Sequence, residues 1–371
     1  MGRLGLFLAM LIAITTVWPE RSAAAERVVN VYNWSDYVDP DVLADFTAET
    51  GVAVVYDVFD ANDLVETKLL AGGSGYDVVV SSDVYVAREI AAGVLQPLDK
   101  TRLPNLVHQW PAIADALGAY DPGNRFAVNY MWGTTGLGYN VDKVQALVPD
   151  APRDSWALLF DPRYAARLSD CGIRVLDTPD DVIPAALSYL GLDPRSQDPD
   201  AIRASAAAVA RIRPYIERFE SDGMINALAA GDACLVLGYS GDVLQARSLA
   251  RTNGAGAQID YVIPKEGTAI SFDGFVIPAD APHPDEAHLF IDFMVRPENA
   301  ARNASAIAYA SGSLDAQPLI DKIIREDPAI YPDAATLARL YALPTRDATV
   351  QRLMNRLWAT IKSGSAPLDG P

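Results

Sequence analysis

From Val28 onward, apolar positions recur in two alternating rhythms. Val28 to Trp34 reads as a strand; Asp39-Pro40 then supplies an N-cap and a first-turn proline to a helix with Val42, Leu43 and Phe46 on one face, stopped by Gly51. Val52 to Phe59 is the next strand and Asn62 to Leu70 a short helix ending at Gly72-Gly73. Tyr76 to Val80 is a continuous apolar strand, followed by a helix from Val84 to Ala92 closed by Gly93. Strand and helix alternating three times predict a parallel sheet flanked by helices on both faces. Ligands of such sheets bind beyond the carboxyl ends of the strands, where Trp34 to Tyr37 and Ser81-Ser82-Asp83 both fall.

The pattern resumes further on as a second α/β unit. Phe126 to Tyr130 and Leu137 to Asn140 read as strands flanking Trp132-Gly133-Thr134-Thr135-Gly136, a glycine-bearing stretch expected to be a flexible connection between two lobes. Ile173 to Leu176 runs into Asp177-Thr178-Pro179-Asp180-Asp181 and a helix to Gly191; Cys234 to Leu237 runs into Gly238-Tyr239-Ser240-Gly241-Asp242 and a helix through Ala250. Ile259 to Ile263 and Phe272 to Ile277 are strands separated by Pro264-Lys265-Glu266-Gly267, a second crossing between lobes. The chain closes on a helix with Val350, Leu353, Leu357, Trp358 and Ile361 at helical spacing.

The first residues do not belong to this pattern. A basic start at Met1 to Arg3, an apolar run from Leu4 to Trp18 and the small residues Ser22 to Ala25 read as a secretory signal cut after about Ala25, with an uncleaved anchor as the alternative. No cysteine near the cut offers a lipid attachment point, so the product is expected in an extracytoplasmic space. About 346 mature residues exceed one ordinary core and suggest two domains.

The whole chain carries 30 basic and 48 acidic residues, a net charge of −18; without the leader the balance is about −19. That excludes a nucleic-acid or anionic-membrane footprint, which needs a basic face. An acidic surface aids solubility and attracts cationic ligands over about a Debye length. Cys171 and Cys234 are the only cysteines; in an oxidising compartment one disulfide is the simplest expectation, two buried thiols the alternative. Closing that loop is worth about 4 kcal/mol in the chain-entropy treatment. His108, His283 and His288 are scattered, with no metal-ligand spacing and no His-based nucleophile arrangement.

Tyr32-Asn33-Trp34-Ser35-Asp36-Tyr37 brings aromatic rings, a hydroxyl and a carboxylate to one strand end. Ring faces attract ammonium groups by roughly 0.5 to 2 kcal/mol each, and a carboxylate adds counter-charge and an oriented acceptor. Tyr32 and Trp34 as plain core residues of a strand are the other reading.

Seven motifs occur in order along the mature chain: the hexapeptide above, Gly75-Tyr76-Asp77, Trp132-Gly133-Thr134, Asp154-Ser155-Trp156, Tyr189 to Pro194, Gly238 to Val243 and Ile263 to Gly267. Together they resemble the periplasmic polyamine-binding proteins of bacterial ABC transporters, most closely the putrescine-binding branch. The resemblance implies a two-lobe periplasmic binding protein fold of type II, α/β in each lobe, closing at a hinge on a linear di- or polyamine. Residues 26–131 and 265–312 would form lobe 1, and 132–264 and 313–371 lobe 2. It further implies a non-enzymatic, monomeric receptor without cofactor, partnered by the permease and ATPase subunits of an importer.

Position by position, the resemblance places Trp34, Tyr37, Tyr239 and Tyr309 as aromatic walls, Ser35, Ser82 and Tyr85 along the lining, and Asp36, Asp181, Asp242 and Asp273 against ammonium groups. Cys171 and Cys234 match the family's cysteine pair. Three departures stand out. Ser271 occupies a position where relatives carry Phe or Trp, Tyr239 one where Trp is common, and Asp181 is a methylene shorter than the expected Glu. All three are expected to enlarge or loosen the site, which leaves room for spermidine, a bulkier amine or another organic cation. A secreted hydrolase using paired carboxylates is a remote alternative.

Overall fold

The computed structural model describes residues 27–221, 223–254 and 257–364; the expected leader at 1–25 lies outside the described residues. Three parallel strands open the fold: β1 (Val28–Trp34), β2 (Ala53–Phe59) and β3 (Val78–Ser82), with β1 between the other two. Helix Pro40–Thr50 follows β1 as the sequence dictates, its N-cap Asp39 accepting from the Asp41 amide and Gly51 ending it in the left-handed region.

The long strand β4 (Ala127–Asn140) joins everything that follows. The other strands are β5 (Ile173–Val175), β6 (Arg218–Phe219), β7 (Leu235–Tyr239), β8 (Ile259–Val262), β9 (Thr268–Val276), β10 (Ala310–Ser311) and β11 (Leu340–Ala342). The first half of β4 pairs antiparallel with β9, which continues to β3, and with β10; its second half pairs with β7 and β8. β7 leads on to β5 and β6, both parallel, and β11 lies along the start of β9. Two twisted sheets flanked by helices therefore share one strand.

Here the structure corrects the flexible connection expected at Trp132–Gly136. All fourteen residues of β4 are buried, and its glycines serve close approach rather than turning. A Cβ on Gly136 would lie 2.4 Å from Oη of Tyr261, and one on Gly138 2.5 Å from a Val243 methyl. The second crossing is a turn at Pro264–Gly267, closed by the Gly267 amide donating to the Pro264 carbonyl. It is clamped by a fully buried tryptophan: Trp156 Nε1 donates to the Gly267 carbonyl at 3.0 Å, and its amide to Glu266 at 3.2 Å. The motif at Asp154-Ser155-Trp156 thus holds the crossing.

Cys171 and Cys234 are disulfide-bonded just before β5 and β7, at the strand ends opposite those that lead into the acidic loops. The last helix, Ala348–Ser363, buries Val350, Leu353, Met354, Trp358 and Ile361 and packs on helices Pro179–Tyr189 and Pro199–Ile212; Leu357 is only half-buried. Residues Ala316 and Ile320 belong to the core under the first sheet. His288 is buried and accepts from the Asp99 amide at 3.0 Å. Among the described residues no helix is long and apolar enough to cross a membrane.

Candidate functional site

A cavity of about 220 Å³ lies where the carboxyl ends of β1, β3 and β7 and the middle of β9 converge. All twelve residues expected at a site border it, although Ser35 and Asp36 stand exposed at its rim. Asp36 takes the left-handed backbone, φ 54°, that lets β1 turn sharply and swing Tyr37 back into the protein, where that ring is 4 % exposed.

Three carboxylates project between the sheets, each held by hydroxyl groups. Asp273 sits in β9 opposite Ser82 of β3 and accepts from Ser82 Oγ and from Tyr37 Oη, both at 2.6 Å. Asp242, in the first turn of helix Ser240–Thr252, accepts from Tyr309 Oη at 2.9 Å. Asp181 accepts from Thr135 Oγ1 at 2.9 Å and from Tyr239 Oη at 3.1 Å. Thr178 caps helix Pro179–Tyr189, so Asp181 is released from capping and faces the cavity.

Tyr309 reaches Asp242 through a slot made by two glycines. A Cβ on Gly241 would lie 1.9 Å from the Tyr309 ring and one on Gly133 3.0 Å from it. The same ring meets Tyr37 edge-on at 4.8 Å, and Trp34 leans on Phe59 at 4.6 Å. Tyr85 is turned toward Asp63, to which it donates at 2.8 Å.

Two of the three departures from the expected pattern meet each other. The hydroxyl that Tyr239 has and a tryptophan lacks ends on the shortened Asp181, so that end of the cavity is tied rather than loosened. The third departure leaves a short side chain on the lining at Ser271; its cross-strand partner Gly133 adds no room, because the Tyr309 ring packs over it.

Burial pushes the carboxyls of Asp181 and Asp242 up to about 6, and that of Asp273 up as well. Burial also raises the tyrosine phenols, which keeps Tyr37, Tyr239 and Tyr309 as donors. Beyond burial, the charges of Asp36 and Asp273 raise the Asp242 carboxyl further, and those of Asp273 and Asp181 raise that of Asp83. Among the described residues none of Asp83, Asp181, Asp242 and Asp273 has an Arg or Lys partner; Arg88, also on the lining, is paired with Glu66. Nor, among those residues, do three His, Cys, Asp or Glu converge to hold a metal ion.

Asp83 and Thr135 line or support the cavity without having been picked out as site residues. Asp83 was findable, since it stands in the loop already placed at the sheet rim. Thr135 was hidden in a stretch read as a connector.

Residues 41–332 match the family described as bacterial extracellular solute-binding protein. The chain is 45% identical over 365 residues to the putrescine-binding periplasmic protein SpuD of Pseudomonas aeruginosa, spanning 98% of this chain and 100% of that one. It is 43% identical to the putrescine-binding periplasmic protein PotF of Escherichia coli, over 92% of this chain and 93% of the relative. Among solved structures, the spermidine/putrescine ABC transporter substrate-binding protein PotD of Streptococcus pneumoniae has a TM-score of 0.75 at 29% identity, covering 91% of this chain and 99% of its own.

Proposed function

The chain belongs to the bacterial extracellular solute-binding proteins, and from that premise we propose that it captures a linear polyamine of the putrescine and spermidine class between its two sheets and delivers it to an ABC permease. It acts as a receptor rather than an enzyme, working outside the inner membrane as a monomer after loss of its leader. One observation carries the reading: Asp181, Asp242 and Asp273 are partly withdrawn from water, fixed by hydroxyl donors and, among the described residues, lack a basic partner. Carboxylates left in that state call for a cation from outside.

In this reading Asp36, Asp181, Asp242 and Asp273 receive ammonium groups. Trp34, Tyr37, Tyr239 and Tyr309 cover the methylene chain and add cation–π attraction, while Ser82, Ser271 and Tyr85 complete the lining. The lobe built on the first sheet, residues 26–131 and 265–312, moves against the one built on the second, with Ala316 and Ile320 packing in the first lobe's core rather than, as expected, with 313–371 in the second. A ligand touching acids on both lobes favours the closed state, the form the permease and its ATPase would accept.

Calorimetric titration of ligand-stripped, refolded protein with putrescine, cadaverine, spermidine and spermine tests this. One-to-one binding of at least one amine supports it. Absence of both heat and thermal stabilisation with all four overturns it.

A further inference from the structure

Of the acids that line the cavity and that the reading above leaves unused, Asp83 is the buried one. It opens helix Asp83–Ala92 directly after β3, lines the cavity and is 5 % exposed. Asp181, Asp242 and Asp273, each half-buried, are held by side-chain hydroxyls. Asp83 is held by backbone alone: Oδ1 accepts from the Val84 amide at 2.6 Å and Oδ2 from the Phe272 amide at 3.3 Å. These two bonds fix the carboxyl rigidly and add no charge. The facing titratable groups are Asp273 on β9, Asp181 on helix Pro179–Tyr189 and the phenol of Tyr120, all acidic.

The Phe272 amide ties Asp83 to the residue beside Ser271, so the extra acid and the missing aromatic wall occupy the same stretch of lining. A diamine supplies two positive charges to a cavity lined by Asp83, Asp181, Asp242 and Asp273. A triamine supplies a third, and the short side chain of Ser271 leaves room on the lining for the longer chain.

Resting on the polyamine reading, we propose that Asp83 is an additional ammonium-binding carboxylate that turns the site's preference from a linear diamine to a linear triamine. Burial, with Asp273 and Asp181 nearby, pushes its carboxyl up to about 8, so at pH 7 the empty site holds it largely protonated. An ammonium group docking against it expels that proton to the buffer. Triamine binding at pH 7 should therefore release about one proton more than diamine binding, a difference that disappears above pH 9.

The test is titration calorimetry of wild type, Asp83→Asn and Asp83→Ala with putrescine and spermidine, in buffers of different ionisation heat. The expected result is tighter spermidine binding by wild type, with the extra proton. Both variants should lose at least tenfold more affinity for spermidine than for putrescine, and lose the extra proton. Equal losses for the two amines, or equal proton counts in wild type, overturn the assignment while leaving the polyamine reading standing. Wild type that binds neither amine removes both. The proton count is read on wild type, so a folding defect in the variants does not mask the answer.

Discussion

A carboxylate removed from water without a counter-charge is destabilising until something neutralises it, and that decides how each acid of the cavity should respond to substitution. Asp242→Asn and Asp273→Asn keep the shape and the tyrosine contacts but remove the charge. A hydrogen bond to a charged group is worth roughly 1.5 to 3 kcal/mol, so each variant should bind its amine at least tenfold more weakly while melting no lower than wild type. Unchanged affinity in both, measured by calorimetry, would place the amine elsewhere. The pH dependence has a definite sign. Asp181 and Asp242 titrate near 6 in the folded protein, above the ordinary aspartate value of about 4. Their contribution to stability is fully present below pH 4 and is lost as the pH rises through 6. Amine binding needs the ionised form and runs the other way. The thermal shift given by saturating amine should thus be larger at pH 7.5 than at pH 5, and a larger shift at pH 5 would contradict the burial of these acids. From sequence these residues were legible as chemistry, an acid next to aromatics at a strand end. Their partners were not, because Tyr309 to Asp242 and Tyr37 to Asp273 span 67 and 236 positions.

At the scale of elements, the site depends on how close two pieces of backbone come to one ring. Gly241 opens helix Ser240–Thr252 against the face of Tyr309, with no room for a methyl group. Gly241→Ala should push the ring out of its slot, break its bond to Asp242 and cost about 1 to 3 kcal/mol of stability by overpacking. Amine affinity should fall about tenfold or more with it. A variant with wild-type affinity and melting temperature would show that the helix simply slides. Local signals predicted elements well wherever the physics is local: Asp39-Pro40 and Thr178-Pro179 are caps with a first-turn proline, and both start helices as expected. They failed at β4. Its glycines look like turn residues until Tyr309, Tyr261 and Val243, contributed from distant sequence, are seen filling the space each one leaves. The departures at Tyr239 and Asp181 were likewise read singly as losses, because only the fold brings them into contact.

For the whole molecule, the two sheets are joined through the continuous strand β4, paired along its first half with β9, rather than through a slack loop. Contacts between the two sides include Tyr309 Oη on Asp242 and the Gln245 side chain donating to the Ile307 carbonyl at 3.0 Å. Against them stands the mutual repulsion of the cavity acids once ionised, which closure intensifies by excluding water. The balance is a few weak bonds against like charges, so the stripped protein at pH 7.5 should favour an open arrangement that hydrates its carboxylates. Amine supplies the missing charge and closes it. Protons should do part of the same work, since at pH 5 Asp181 and Asp242 are largely neutral. Small-angle X-ray scattering should therefore give the largest radius of gyration for stripped protein at pH 7.5, the smallest with saturating amine, and an intermediate value for stripped protein at pH 5. Identical radii with and without amine at pH 7.5 would mean that the cavity acids do not hold the lobes apart, and that selectivity is exerted on a preformed closed site.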